Sequence, residues 1–133
     1  MNTTAKDIMS SRLIVAREGM NIEDALKLLV NNKITGLPVV DDSGMIIGIL
    51  SEYDIIAHVG KESHITSEIF RENATYSKNV ESVTEETSFT EILERFIKLK
   101  CRRLPVLDAS KRLVGIISRR DVMKVLYYRA KVN

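Results

Sequence analysis

The chain contains the same sequence pattern twice, and the second copy follows the first at a constant offset of 67 residues. No insertion breaks the register, and the apolar positions recur together with the polar ones. Self-similarity at a fixed period indicates a repeated structural unit. The chain therefore has to fold as two copies of one small unit. The matching positions include Pro38 with Pro105, Gly48 with Gly115, Ser51 with Ser118 and Asp54 with Asp121.

Each copy predicts a strand, a helix, a hairpin of two strands and a second helix. Apolar stretches bounded by turn residues predict the strands, and apolar residues at helical spacing predict the helices. The predicted strands and hairpins cover residues 13–15, 37–50, 80–83 and 104–117. The predicted helix starts are Asn21 with Asp24, Ser88 with Glu91 in a full capping box, Ser51 and Ser118.

The repeat also predicts the fold class. A unit of three strands and two helices in about fifty residues is too small to be stable alone. Its strands are apolar on both sides, which indicates a sheet covered on both faces. We therefore predict an α+β fold in which two β-α-β-β-α units pack through their sheets into one globular domain. Along the sequence, the first unit spans residues 7–60, the linker residues 61–73, with one helical turn near residues 65–70, and the second unit residues 74–129.

Composition excludes several classes of function. Lys and Arg number 20 and Asp and Glu 18, a net charge of +2, so a general nucleic-acid-binding surface is not expected. Cys101 is the only cysteine, which excludes an intramolecular disulfide and a Cys-based zinc site. The first residues lack the apolar run of a signal peptide, and no stretch has the roughly 20 apolar residues of a membrane span. We expect a reduced, cytoplasmic protein without membrane association.

The sequence shows no arrangement for catalysis or for a metal centre. It has no Ser-His-Asp or Cys-His pattern and neither of the glycine-rich phosphate loops. His58 and His64 lack the spacing of metal ligands and are expected to lie in solvent near the linker. We therefore predict that the chain is not an enzyme and requires no cofactor or metal.

The sharpest candidate for ligand chemistry is the Ser-x-x-Asp motif at the start of each second helix. A strand-to-helix junction presents free backbone amides, which suit a phosphate. A carboxylate one helical turn later can accept two hydrogen bonds from a ribose diol. The alternative is a helix cap that needs no ligand. The two motifs are Ser51 with Asp54 and Ser118 with Asp121.

The second copy adds positive charge around its motif. Arg119 and Arg120 lie in the first helical turn, where the helix dipole disfavours cations and a bound anion would relieve the repulsion. The alternative is that both are solvated surface arginines. A second basic cluster precedes the second hairpin, and two of its first-copy counterparts are uncharged. The cluster is Lys100, Arg102 and Arg103, and the uncharged counterparts are Thr35 and Gly36.

An apolar slot is the candidate site for a flat purine. Gly36 leaves room beside it for a base or a sugar. The alternative is that some of the slot residues belong to the core. The slot residues are Ile14, Val15, Leu37, Val83 and Leu104.

These motifs resemble those of the CBS domain pair, a family named after cystathionine β-synthase. The resemblance runs from about Asp7 to about Arg129 and rests on residues 34–41 and 48–54, each repeated 67 residues later. It implies two β-α-β-β-α units with pseudo-twofold symmetry and two clefts between them. It further implies adenosyl ligands such as AMP, ADP, ATP or S-adenosylmethionine, and pairing of chains into homodimers.

The resemblance also assigns roles to individual residues. The two motif aspartates resemble the family's ribose-binding acids, and the two motif serines its hydroxyl near the phosphate or sugar. Arg102 and Arg103 match positions where basic family residues meet phosphates, and we expect them to serve the Asp54 cleft. The Asp121 cleft departs from the pattern at Thr35 and Gly36. The full set of candidate ligand-binding residues is Ile14, Val15, Gly36, Leu37, Pro38, Ser51, Asp54, Val83, Arg102, Arg103, Leu104, Pro105, Ser118, Arg119, Arg120 and Asp121.

Together, the residues and the resemblance predict a stand-alone regulatory module that binds an adenosyl ligand and signals to a separate partner protein. The alternative is a ligand-free structural or oligomerisation module in which the Ser-x-x-Asp pairs are only caps. Because the basic residues are concentrated in the second copy, one cleft is expected to bind much better than the other.

Overall fold

The computed structural model describes residues 2–132, and their contacts divide the chain into two compact units. We call Ile14–Val80 the continuous unit. The split unit combines Met1–Leu13 with Glu81–Asn133. This division is spatial, whereas the boundaries 7–60, 61–73 and 74–129 concern the repeat along the sequence and stay a prediction.

The elements follow the same order in both repeats. The helices are α1 (Ala5–Ile8), α2 (Ile22–Asn32), α3 (Glu52–Gly60), α4 (Phe89–Leu99) and α5 (Arg119–Val132). The strands are β1 (Ala16–Arg17), β2 (Gly36–Val40), β3 (Ile46–Ser51), β4 (Val83–Thr84), β5 (Arg103–Leu107) and β6 (Leu113–Ser118). A 3₁₀ helix at Ser67–Arg71 occupies the linker where one helical turn is predicted. Within residues 2–132, every helix is too short or too polar to cross a membrane.

Each unit contains one three-stranded sheet, in the order β1-β2-β3 or β4-β5-β6. The first two strands of each sheet are parallel, and the last two form an antiparallel hairpin. The register repeats as well, because Val39 lies opposite Gly48 and Val106 opposite Gly115. The predicted strand–helix–strand–strand–helix order and the α+β class are confirmed.

The opening strands begin later than the sequence predicts. A strand is defined by its ladder partner, and the parallel ladder to the central strand begins at Ala16 in one unit and at Val83 in the other. Apolarity alone places the strand too early, because Ile14 and Val15 only lead into it. The corrected strands are Ala16–Arg17 instead of residues 13–15 and Val83–Thr84 instead of residues 80–83.

The helix caps form largely as predicted. At α2, the Asn21 side chain accepts a hydrogen bond from the Asp24 amide at 2.8 Å. At α4 only half of the predicted capping box is present. Ser88 Oγ accepts a bond from the Glu91 amide at 3.2 Å, but Glu91 Oε2 lies 3.8 Å from Arg95 Nη2 instead of returning to the cap. The ion pair one turn along the helix competes for this carboxylate.

Asp41 organises the turn of the first hairpin. Its carboxylate accepts hydrogen bonds from the Ser43 hydroxyl at 2.7 Å, the Ser43 amide at 2.9 Å and the Met45 amide at 3.1 Å. The Ser43 hydroxyl, followed by the Met45 amide, holds the pKa of the Asp41 carboxyl below its ordinary value. Gly44 closes the turn with φ of +85°, and the equivalent Lys111 adopts φ of +66°, a left-handed conformation that glycine tolerates better.

The segment that leads into each repeat pairs with the sheet of the other repeat. In the split unit, Ser10 and Ile116 exchange two backbone hydrogen bonds of 2.8 and 3.0 Å. In the continuous unit, Ser77 and Ile49 exchange bonds of 3.0 and 2.9 Å. Ser10 and Ser77 are equivalent at the 67-residue offset, so the two lead-in segments are exchanged.

This exchange explains the repeated glycine of β3 and β6. A Cβ atom on Gly48 would overlap with the Tyr76 ring and lie 2.7 Å from the Ser77 carbonyl oxygen. On Gly115 it would overlap with the Met9 thioether. The glycines are therefore required by the docked lead-in segments.

Candidate functional site

The Ser-x-x-Asp motifs form reciprocal helix caps in both units. In the continuous unit, the Ser51 amide donates to Asp54 Oδ2 at 2.9 Å, and the Asp54 amide donates to Ser51 Oγ at 3.3 Å. In the split unit, the Ser118 amide donates to Asp121 Oδ2 at 2.8 Å, and the Asp121 amide to Ser118 Oγ at 3.2 Å. The cap interpretation of the motif is thus realised in the structure.

The caps reduce the number of amides that a bound anion can use. The Glu52 amide donates to the Thr35 carbonyl oxygen at 3.0 Å, and the Arg119 amide to the Arg102 carbonyl oxygen at 3.3 Å. With the amides of the two aspartates also engaged, two of the first three amides of each helix already have partners. A phosphate at this junction therefore depends more on side chains than on the backbone.

The caps do not prevent the aspartates from binding a sugar. Both Asp54 and Asp121 are half-buried, and the cap bonds from their serine amides all go to Oδ2, which fixes the orientation of each carboxylate. A carboxylate has about four lone-pair sites. Cap and ribose recognition are therefore compatible roles for the same side chain.

A cavity of about 800 Å³ opens between α1 and α5 in the split unit, and Asp121 lines it. This volume is in the range of small-molecule sites. Lys124 and Arg129 bring positive charge to the same cavity, and neither is among the candidates predicted from the sequence. They follow Asp121 by three and eight residues, so helical periodicity could have placed them on its face of α5. The remaining lining residues are Thr3, Asp7, Ile8, Val125, Tyr128 and Val132.

Arg119 has a structural partner that requires no anion. Its Nε donates to the Cys101 carbonyl oxygen at 2.9 Å and its Nη2 to the Lys100 carbonyl oxygen at 3.2 Å. These carbonyls follow the C-terminal end of α4, where the helix dipole favours a cation. The other predicted phosphate ligands are Arg102 and Arg120, which are exposed, and Arg103, which is half-buried at the start of β5.

Most of the predicted purine slot belongs to the cores. Leu37, Val83 and Leu104 are 1%, 3% and 0% exposed, and each is part of the core cluster of its own unit. The alternative interpretation, that some of the slot residues belong to the core, therefore holds for these three, and the purine slot itself stays a prediction. The other buried candidates are Gly36, Pro38 and Pro105, and the half-buried ones are Ile14 and Val15.

His58 does not lie in solvent as the sequence predicts. Its side chain is 14% exposed, and Nε2 lies 2.8 Å from Glu72 Oε1 just after the 3₁₀ helix. The pair ties α3 to the linker segment of the continuous unit. Within residues 2–132, no three His, Cys, Asp or Glu side chains cluster as a metal site would require.

The sequence model of the CBS domain matches the chain twice, at residues 5–61 and 72–128. The chain belongs to the CBS domain family. The two matches are the two copies of the 67-residue repeat, so the predicted resemblance to a CBS pair is confirmed.

The most similar curated relatives include an Arabidopsis thaliana protein. The chain is 31% identical over 148 residues to the chloroplastic CBS domain-containing protein CBSX2, covering 91% of this chain and 62% of that protein. The structure of CBSX2 matches this CBS pair with a TM-score of 0.84 at 30% identity, covering 100% of this chain and 99% of that one. A structure of CBSX2 in complex with AMP matches with a TM-score of 0.82 at 32% identity, covering 96% and 98%.

Two further relatives extend the comparison. The CBS domain pair of protein MJ0100, in complex with 5′-methylthioadenosine and S-adenosyl-L-methionine, matches with a TM-score of 0.77 at 28% identity, covering 93% of this chain and 99% of that one. The L-aspartate semialdehyde sulfurtransferase of Methanocaldococcus jannaschii is 28% identical over 123 residues, covering 92% of this chain. This chain spans only 23% of the length of that enzyme, so the likeness is to one part of it.

Proposed function

We propose that this CBS pair is a regulatory module that binds an adenosyl ligand and transmits its presence to a separate partner protein. The observation that supports this best is the likeness of nearly the whole chain to an AMP-bound CBS pair, with a TM-score of 0.82. The second solved CBS pair holds 5′-methylthioadenosine and S-adenosyl-L-methionine, which share the adenosyl group with AMP. The proposed ligand is AMP, ADP, ATP or S-adenosylmethionine.

Asp54 and Asp121 are the proposed ribose acceptors. Each carboxylate is oriented by its cap, with amide-to-Oδ2 distances of 2.9 and 2.8 Å. A pre-oriented carboxylate binds a diol without a further loss of side-chain entropy. Ser51 and Ser118 place a hydroxyl beside each carboxylate, where it can reach the sugar or the 5′ substituent.

The split unit is the better candidate for a phosphate-bearing ligand. It carries 14 Lys and Arg against eight Asp and Glu, a net charge of +6. The continuous unit carries six Lys and Arg against ten Asp and Glu, a net charge of −4. A field of one sign raises the local concentration of a ligand of the opposite sign. The Asp121 site is therefore proposed to be the tighter one, with Lys124 and Arg129 beside it and Arg120 as a further phosphate ligand. The assignment of Arg102 and Arg103 to the Asp54 cleft stays a prediction.

Calorimetric titration of the whole chain with AMP, ADP, ATP, NADH and S-adenosylmethionine tests this proposal. Asp121→Asn keeps an oxygen acceptor for the cap but removes the charge and one ribose acceptor. We expect it to weaken AMP binding about tenfold or more, from the loss of a charged hydrogen bond. Asp54→Asn is the matched variant, and its effect should be smaller. The absence of binding by all five compounds at millimolar concentration would overturn the proposal.

The alternative function is a ligand-free oligomerisation module, and the complete caps at both motifs are the observation that favours it. Under this alternative, Asp121→Asn and Asp54→Asn bind AMP no more weakly than the wild type does. Only the melting temperature of the variants changes. Parallel thermal melts of the two variants separate the outcomes, since a cap change alone costs about 1 kcal/mol.

Signalling by this module requires a ligand that discriminates between two arrangements of the protein. A ligand shifts such an equilibrium only by its difference in affinity for the two states. We propose that the chain acts as a homodimer whose exposed helices report the bound state, without catalysis of its own. Hydrogen exchange of α3 and α5 with and without AMP tests this, since an indifferent helix should show no change. A cytoplasmic location stays a prediction, because the Arabidopsis relative carries a chloroplastic name.

A further inference from the structure

The first turns of α3 and α5 have the same backbone geometry. The serine amide lies 2.9 Å from the aspartate Oδ2 in the Asp54 cap and 2.8 Å in the Asp121 cap. The first helical amide donates to a carbonyl oxygen just before the central strand, at 3.0 Å in α3 and 3.3 Å in α5. A difference in ligand preference between the two sites therefore has to come from the side chains.

The side chains of these two turns differ in the sign of their charge. The first three residues of α3 carry two carboxylates and no cation, a net charge of −2. The first three residues of α5 carry two guanidinium groups and one carboxylate, a net charge of +1. Each sign agrees with the net charge of its unit, −4 and +6. The residues are Glu52, Tyr53 and Asp54 in α3 and Arg119, Arg120 and Asp121 in α5, and the first two of each set are exposed.

The start of the central strand adds to this difference. Gly36 pairs with Ser51 in the sheet of the continuous unit, and Arg103 pairs with Ser118 in the split unit. The position beside the motif therefore has no side chain in one unit and a guanidinium group in the other. The family resemblance instead assigns Arg103 to the Asp54 cleft, where it would favour phosphate. Titration of the two sites separates these assignments.

We propose that these side chains sort adenosyl ligands by charge. The Asp54 site takes a neutral or cationic adenosyl ligand, and the Asp121 site takes one that carries phosphate. A phosphate on a ribose held by Asp54 is repelled by the Glu52 carboxylate on the same turn. The Tyr53 ring, which is 75% exposed, suits a sulfonium or an uncharged 5′ substituent. This inference rests on the proposed function, because it divides the adenosyl ligands between its two sites.

Calorimetric titration of the full chain with AMP, adenosine and S-adenosylmethionine tests the sorting. The three compounds share the adenosyl group and carry net charges of about −2, 0 and +1 at pH 7. Asp121→Asn leaves the Asp54 site to be measured alone, and we expect it to bind S-adenosylmethionine and adenosine at least about fivefold more tightly than AMP. Asp54→Asn leaves the Asp121 site, which should bind AMP at least about fivefold more tightly than adenosine.

Exchange of the first-turn side chains should change the preference of the Asp54 site. In the Asp121→Asn background, Glu52→Arg with Tyr53→Arg reproduces the first turn of α5, and it should raise the affinity for AMP at least about fivefold. The matched control is Glu62→Arg with Ser63→Arg, which adds the same charge at two exposed residues just after α3. It should alter the affinity for AMP less than about twofold, since about 15 Å of helix exceeds the screening length.

Three results would overturn the sorting. One is an Asp121→Asn variant that binds AMP as tightly as S-adenosylmethionine, as the assignment of Arg102 and Arg103 to the Asp54 cleft predicts. Another is an Asp121→Asn variant that binds none of the three compounds although the wild type does. The third is an equal gain in AMP affinity from the first-turn exchange and from its control.

The test distinguishes this inference from the proposed function. A wild-type chain that binds none of the compounds contradicts the proposed function itself, whereas two sites with the same preference contradict only the sorting. If an aspartate variant does not fold, hydrogen exchange of the wild-type chain measures the same preference. AMP should then protect the first turn of α5 at lower concentration than that of α3, and S-adenosylmethionine should do the reverse. Equal protection of both turns by both ligands would overturn the sorting.

Discussion

Arg119 shows, at the scale of one residue, what a sequence motif can and cannot predict. The caps at Asp54 and Asp121 could be predicted, because their partners lie three residues away on the same turn. The partners of Arg119 are the carbonyl oxygens of Lys100 and Cys101, which are 19 and 18 residues away. That contact depends on how α4 and α5 pack, and no local pattern encodes it. The two carbonyl oxygens therefore account for Arg119 without an anion, whereas the anion at Arg120 stays a prediction.

Cys101 gives a prediction at the same scale. Burial raises the pKa of its thiol above the ordinary 9.0, against the smaller opposite effects of nearby backbone and Arg119. The thiolate fraction at pH 7 is therefore smaller than that of a free cysteine. We expect alkylation by iodoacetamide at pH 7 to be at least about tenfold slower in the folded chain than in urea. Equal rates in the two conditions would show that the thiol is freely accessible.

At the scale of the elements, the helices and hairpins could be predicted and the lead-in segments could not. Periodicity shows which face of an element is apolar, but not which sheet it covers. Ser10 therefore looks like part of the first repeat, although its ladder partner is Ile116. For the same reason the first strand is predicted too early in the sequence. Its position is defined by the pairing of Ala16 with β2, which periodicity does not show.

Substitution of Gly48 and Gly115 tests whether the docked lead-in segments are the reason that both positions are glycine. Gly48→Ala should destabilise the fold by about 2–3 kcal/mol, because its Cβ would meet the backbone carbonyl of Ser77 as well as a ring. Gly115→Ala should cost only about 1 kcal/mol, since the flexible Met9 side chain can move. Urea denaturation measures both.

Gly60→Ala is the control for this pair. A Cβ at Gly60 meets nothing within 4 Å, and alanine is the better helix former at the end of α3. Its stability should be unchanged or slightly higher. Equal losses in all three variants would mean that backbone freedom, and not the docked segment, explains the glycines.

At the scale of the whole molecule, the net charge of the chain conceals a difference in net charge between its two units. The chain carries a net charge of +2, which suggests an electrically unremarkable surface. Dividing it between the units gives +6 and −4. The sequence already contains this asymmetry, but the residues that belong to each unit are known only from the exchange of Met1–Leu13. The proposal that the Asp121 site is the tighter one depends on it.

Deletion of residues 2–10 tests the division into units. It removes the five backbone hydrogen bonds that the described residues form between this segment and the rest of the split unit, and with them the fully buried Ala5. At about 1 kcal/mol for each bond, the loss is comparable to the stability of a small unit. Hydrogen exchange should show a larger loss of protection at Phe89 and Ile117 than at Ile22 and Leu50. Uniform loss of protection would mean that the two units unfold together. The hydrogen bonds removed are Ala5 N to Thr87 O, Lys6 N to Glu85 O, Phe89 N to Thr3 O, Ser10 N to Ile116 O and Ile116 N to Ser10 O.

The exchanged segments also set an order of events on the ribosome. The continuous unit has all its residues once Val80 has been synthesised, so its internal contacts can begin to form while the rest of the chain is being made. The split unit cannot close until α5 is complete, which at about 5–20 residues per second is several seconds later. During that interval Ala5, Ile8 and Met9 have no sheet to cover. A polypeptide whose synthesis stops early therefore keeps its first ten residues exposed, and this exposed apolar end would mark it for a chaperone or a protease.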